Sequence, residues 1–125
     1  ITYVNYTGAA TCAATLPAAA AGSVVVYVQT KDTTGGTATL SFDCAGSDVY
    51  KTGSIIESRG SSEVSFDSSA ASETLLTFTP ANAATNLLTT GCKLYFVCYE
   101  KGTWTIAYDL STETTQVTGA FVFAS

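Results

Sequence analysis

The chain has 125 residues, 46% of them hydrophobic and only 12% charged, with a net charge of −5 and no histidine. That length suits one domain with a sizeable core. Ordinary soluble domains carry roughly a quarter charged residues, so this exterior must be largely Ser, Thr and Ala, which suits a chain packed against neighbours. The basic residues Lys31, Lys51, Arg59, Lys93 and Lys101 are scattered, so no stripe exists to neutralise nucleic-acid phosphates, and no apolar run approaches the eighteen or so residues that span a bilayer.

Taken in chain order, residues 1–10 hold a weak strand, TYVNY (2–6), and form a candidate N-terminal arm on a single β-domain spanning 1–125. Ile1, Tyr3, Val4 and Tyr6 are its candidate interface residues, because an extended arm can add a strand to a neighbour. With Ile1 first and no methionine, either a leader was removed or the sequence omits its start, which leaves room for a processed extracellular protein or for a structural protein trimmed during assembly. No basic segment followed by an apolar stretch marks a signal peptide. Asn5-Tyr6-Thr7 is a glycosylation sequon, relevant only in a eukaryotic secretory pathway.

A second weak strand, TCAATL (11–16), runs into TLPAAAAG (15–22). Four alanines cannot hold a helix alone, since isolated helices need about a dozen residues. Pro17 disfavours helical dihedrals at Leu16, and Gly22 frees the chain to turn. The stretch therefore reads as a tight connector of at most one helical turn, leading into SVVVYVQT (23–30). That segment is apolar on both faces, as a central strand requires. DTTGG (32–36) reads as a hairpin loop, after which TATLSFDC (37–44) alternates, with Ala38, Leu40, Phe42 and Cys44 on one face. AGSD (45–48) and SRGSS (58–62) read as loops. GSIIE (53–57), EVSF (63–66) and TLLTFT (74–79) are weak strands.

Two segments are candidate helical turns. SSAASE (68–73) is one, and PANAATNLLTT (80–90) is the other, with Pro80 at its start and Leu87 and Leu88 inward. KLYFVCY (93–99) then puts Leu94, Phe96 and Cys98 on one face. EKG (100–102) makes a tight hairpin into TWTIAYD (103–109), where Trp104, Ile106 and Tyr108 share a face. QVTGAFVFA (116–124) is a last strand. Many short strands at this spacing predict an all-β fold, an antiparallel sandwich or barrel of jelly-roll-like type with at most one or two short helical turns.

Chemistry-bearing patterns are sparse. A hydrolytic triad lacks its histidine base. Asp43 with Asp48, or Glu57 with Glu63, could pair as acid and base, but Asp48 is better explained as a turn-stabilising residue. DCAGSD lacks the ligand density of a calcium loop, and the cysteines lack zinc spacing. No metal, cofactor or catalytic residue is assigned, and the chain is not read as an enzyme. Cys12, Cys44, Cys92 and Cys98 allow three disulfide pairings. A bond between Cys92 and Cys98 would bend a strand some 20 Å long, and buried thiols serving as small hydrophobes are favoured. Tyr99 and Trp104, with Tyr95 and Tyr108, form a candidate glycan platform, although the face Trp104 shares with Ile106 and Tyr108 favours core packing.

Two blocks, TLPAAAAGSVVVYV (15–28) and GCKLYFVCYEKGTWTIAY (91–108), together resemble small β-structured domains of tailed-bacteriophage virion proteins. In these a TLP-alanine segment leads into an apolar strand, and a later strand, tight turn and tryptophan strand follow. GSDVY (46–50) is similar to a short piece between them. The resemblance covers about a third of the chain closely. Thr103 stands where such domains usually have Asn before the tryptophan, and the cysteines also depart. The resemblance implies capsid decoration, a head fibre or a tail-associated part, commonly trimeric and without catalytic residues. The expected function is a cement protein on the outer capsid surface of a virion, partnered by the major capsid protein and by itself as a homotrimer, with no nucleic acid and no membrane. The competing expectations are a glycan- or receptor-binding module of a fibre, and an extracellular pilin-like subunit that polymerises by strand donation.

Overall fold

The computed structural model describes residues 1–33, 38–59, 64–79, 88–110 and 120–125. In chain order the strands are β1 (Thr2–Val4), β2 (Cys12–Thr15), β3 (Val24–Gln29), β4 (Leu40–Asp43), β5 (Val49–Tyr50), β6 (Ile55–Arg59), β7 (Val64–Ser68), β8 (Leu75–Phe78), β9 (Lys93–Glu100), β10 (Thr103–Asp109) and β11 (Phe121–Ala124). No helix occurs among the described residues. SSAASE closes as a turn instead, with Ser72 at φ 64° and the Glu73 carboxylate accepting the Ala70 N–H at 2.7 Å. Six residues cannot offset the cost of nucleating a helix. Residues 80–87 of the second helical candidate, including Leu87, lie outside the described residues, while Leu88 is buried.

Two sheets face each other as a sandwich. The first has the order β1-β3-β9-β10-β5 and the second β11-β8-β4-β2; β6 and β7 form a separate hairpin. The inner pairs are antiparallel, but β1 on β3, β5 on β10 and β2 on β4 are parallel. Both sheets are therefore mixed at their edges, and neither closes into a barrel among the described residues. DTTGG does not make a hairpin: β3 and β4 belong to different sheets, so the loop carries the chain across the sandwich, and its residues 34–36 lie outside the described residues.

Period-two alternation builds the core. Leu94, Phe96 and Cys98 of β9, and Leu40 and Phe42 of β4, are all buried. Rings interlock across the two layers. Tyr27 meets Phe42 with centroids 5.1 Å apart at 75°, Phe42 meets Phe96 at 5.0 Å, and Tyr50 meets Phe123 at 5.3 Å. Such tilted and edge-on pairs add to the area they bury. The four cysteines are free thiols, buried at 44, 92 and 98 and half-buried at Cys12.

The connector from β2 to β3 is a turn rather than a helix. The Ser23 N–H bonds the Ala20 carbonyl at 2.9 Å, with Gly22 at φ 88°. It crosses from the second sheet to the first. Leu16 N–H bonds the Asp43 carbonyl at 2.8 Å in one sheet, and Gly22 N–H bonds the Cys98 carbonyl at 2.7 Å in the other. The small side chains let this backbone lie close to its neighbours, and Ala19 is buried.

Candidate interaction surface

The same alternation that fills the core fixes the outer face of the first sheet. Val24, Val26 and Val28 of β3 stand outward, and their register partners on β9 are Val97, Tyr95 and Lys93. On the far side of β9, Thr105, Ala107 and Asp109 of β10 pair with the same three residues. The face is thus three rows: Val24–Val97–Thr105, Val26–Tyr95–Ala107, and Val28–Lys93–Asp109. Only the last row carries charge. Val24 is 56% exposed, and Val26, Val28, Tyr95 and Val97 are half-buried, as on an uncovered sheet. The outer face of the second sheet differs. There Ala13, Thr15, Ser41, Asp43 and Thr77 stand outward, small or polar, beside Leu75 and Val122.

The apolar character of SVVVYVQT on both sides therefore has two causes. One side is core. The other is this open face, and β3 lies one place in from the sheet edge rather than at its centre.

Tyr99 and Trp104 do not form a platform. Three steps along β9 from Val97 to Glu100 face two steps along β10 from Thr105 to Thr103, so β9 carries one extra residue here, a bulge. Tyr99 follows the outward side of the β9 alternation and is 77% exposed, the bulge turns Glu100 outward beside it, and the Trp104 indole is wholly buried. A sugar cannot stack on a ring with no accessible face. The indole Nε1 has no acceptor among the described residues, where packing in the core holds the ring.

The candidate arm lies on its own domain. β1 pairs with β3, with Thr2 beside Tyr27 and Val4 beside Gln29. Ile1 is 81% exposed, Val4 is half-buried and packs on the core, and Tyr6 is 2% exposed, so Tyr6 is a core residue rather than an interface one. The Tyr3 side chain lies outside the described residues. The Tyr6 hydroxyl donates to the Ala38 carbonyl, and burial, with the Cys12 thiol adding, pushes its pKa up to about 12.

Beside it lies a polar network that sequence reasoning did not find. Gln29 is fully buried at the end of β3. Its Oε1 accepts from the Tyr27 hydroxyl, and its Nε2 donates to the Tyr6 carbonyl at 2.5 Å and to the Lys31 carbonyl. Burial, then the nearby Cys12, Cys92 and Tyr6, raises the Tyr27 pKa. A lone glutamine in an apolar strand, on the core side of the alternation, was the available signal.

Asp43 ends β4 in solvent, and Glu63 lies outside the described residues. Asp48 clamps the connector, its Oδ2 accepting the Ala19 N–H at 2.7 Å. No group of three candidate metal ligands gathers among the described residues. A shallow bowl lined by Thr7, Lys31, Asp32 and Thr90 has its Asp32 carboxylate already taken, by Thr90 N–H at 2.7 Å and Thr90 hydroxyl at 2.8 Å.

No family model, curated protein or solved structure matches the chain. The outer face of the first sheet, and the geometry around it, therefore carry the functional argument.

Proposed function

We propose that this chain is a non-enzymatic structural protein of a virion, a capsid-decorating cement protein that associates with copies of itself and bridges subunits of the outer shell. The observation that supports it is the two adjacent uncharged rows on the outer face of the first sheet. Apolar patches larger than a few hundred Å² on a soluble domain mark interaction sites. Three strands about 4.8 Å apart, crossed by two uncharged rows about 6.6 Å apart, give a patch on the order of 200 Å² in projection, at the lower end of that size. A stable interface uses about 800 Å² per partner. One such contact is modest by itself, but repeated across a shell or a trimer it gains by multivalency, which is how a cement protein works. The narrowing from assembly protein to virion component rests on the resemblance of residues 15–28 and 91–108. Pilin-like strand donation fits less well, because β1 is spent on its own sheet.

The test is to place charge in the uncharged rows. Val97→Lys and Tyr95→Glu point away from the core and leave it intact. Wild type is expected to sediment as an oligomer and to raise the disruption temperature of decoration-free capsid shells. Both variants are expected to stay folded and lose both properties. A wild type that remains monomeric at high micromolar concentration and binds no shell overturns the proposal.

A further inference from the structure

The two long sides of the sandwich are closed differently. On one side, the edge strands β5 and β11 are flanked by the β6–β7 hairpin, which contacts β10 and β11 and holds β11 through Asp67 Oδ2, accepting the Phe123 N–H at 2.7 Å. Ile56 of that hairpin is fully buried. On the other side lie the edges β1 and β2, and between them the core opens in an apolar cleft of about 150 Å³. Val4, Cys12, Ala14, Val25, Tyr27 and Phe42 line it. A volume near 150 Å³ takes a group about the size of benzene.

Among the described residues, the rim of this cleft is an open strand edge. In the parallel pairing of β2 with β4, the N–H groups of Cys12 and Leu16 bond the carbonyls of Thr39 and Asp43 at 2.9 and 2.8 Å. Backbone direction alternates along a strand, so Ala13 and Thr15 turn their N–H and C=O away from β4, towards the open edge. Edge strands are usually blunted by shortness, charge, proline or a covering element, and β1 and β2 are short, at 3 and 4 residues. Neither β1 (TYV) nor β2 (CAAT) carries a charge or a proline.

We infer that the β2 edge and the cleft beside it receive an extended, uncharged segment of a partner polypeptide, which pairs with Ala13 and Thr15 and seats one aliphatic or small aromatic side chain in the cleft. This is recognition by strand addition, in which main-chain bonds supply affinity and a side-chain pocket supplies selectivity. The chain covers its opposite side with extended backbone that packs there without joining either sheet, the β6–β7 hairpin, and inserts Ile56 into the core. The site is separate from the outer face of the first sheet and does not depend on the virion reading.

The probe is a blocked, uncharged heptapeptide that alternates threonine and valine around a central isoleucine. It is expected to bind wild type and to protect Cys12, the one half-buried thiol, from alkylation. Replacing the central isoleucine by aspartate is expected to weaken binding at least tenfold, as a charge forced into an apolar pocket must. Ala13→Pro removes an outward N–H from an edge position that tolerates proline, and Ala14→Leu fills the cleft. Each is expected to weaken binding roughly tenfold, the cost of about one hydrogen bond or one buried side chain. The inference is overturned by absence of binding to wild type at millimolar peptide, by equal binding to both variants, by indifference to the central residue, or by wild-type dimers that Ala13→Pro abolishes, which would make the occupant a second copy. Loss of shell binding in Val97→Lys with peptide binding retained separates this site from the outer face.

Discussion

Removing the Asp48 carboxylate should unpin three loops at once. Asp48 sits in the turn between β4 and β5, where its own N–H bonds the Ala45 carbonyl at 3.0 Å. Its Oδ2 takes the Ala19 N–H at 2.7 Å. The Ala19 carbonyl in turn accepts the Gly102 N–H at 2.9 Å, and the Gly102 carbonyl accepts the Val49 N–H at 3.0 Å. The alanine connector, the AGSD loop and the β9–β10 turn thus share one bonded circuit. A hydrogen bond to a charged group contributes about 1.5–3 kcal/mol. Asp48 is only half-buried, which places it in the lower part of that range, while Ala19 is buried and its N–H would be left without a partner. Asp48→Ala is therefore expected to cost about 2 kcal/mol. Asp48→Asn keeps an acceptor without the charge and should cost about 1 kcal/mol. For a domain of this size, 1 kcal/mol moves Tm by roughly 3–5 °C, so the alanine variant should melt about 6–10 °C low. Urea and thermal unfolding followed by the fluorescence of buried Trp104 measure both. An alanine variant within about 0.5 kcal/mol of wild type, the ordinary range of surface substitutions, would refute the clamp.

Gln29→Leu should cost about 2–4 kcal/mol, because it strands the Tyr27 hydroxyl and the Tyr6 carbonyl in the core and takes a donor from the part-buried Lys31 carbonyl. Tyr27→Phe removes one donor and should cost less than half as much in the same urea titration. Gly22→Ala should cost about 1–2 kcal/mol from backbone conformation alone, since φ is 88° and an added Cβ would meet nothing within 4 Å; a neutral result by thermal melt would contradict the turn. With a thiol reagent at mildly alkaline pH, Cys12 should react first. Cys44 should wait for unfolding, because burial, then the charges of Asp43 and Asp48, pushes its pKa up to about 12 and leaves almost no thiolate to react. Comparable rates at Cys12 and Cys44 in mass-resolved labelling would contradict that burial.

The strands were legible because their side chains alternate, and a buried face must repeat every second residue. KLYFVCY and TWTIAYD show it most clearly: the residues placed inward at 94, 96, 98, 104 and 106 are buried, and Tyr108 on the same face is half-buried against the core. β5 was not legible, because two residues cannot alternate. It exists because β10 offers it backbone, with Lys51 N–H bonding the Trp104 carbonyl at 2.8 Å. Nor was the partition into sheets legible. A glycine-rich loop such as DTTGG looks the same whether the chain turns back in one sheet or crosses to the other. Parallel edges were hidden for a similar reason, since strand direction depends on where long connections return and leaves no local pattern. At the surface, alternation already puts Tyr99 outward with Tyr95 and Val97 and Trp104 inward with Ile106; what it does not predict is the bulge that turns Glu100 outward as well.

The scarcity of charge then acquires a location. Lys93 and Asp109 face each other at one end of the outer face, and Glu100 and Lys101 stand exposed near the turn at the other. Between these ends the two adjacent rows carry no charge, so a partner could settle there without desolvating an ion, the step that most penalises a buried contact. The second sheet spends Ser, Thr and Ala on its outer face and keeps Asp43 in water. TLPAAAAG joins the two sheets with side chains too small to obstruct either, and the Asp48 clamp holds it down. Among the described residues, the uncharged face of valine and tyrosine exposes apolar area to water on one side, and on another the β2 edge offers backbone groups beside an apolar cleft, so the two proposed contacts fall where the sequence places no charge to oppose them.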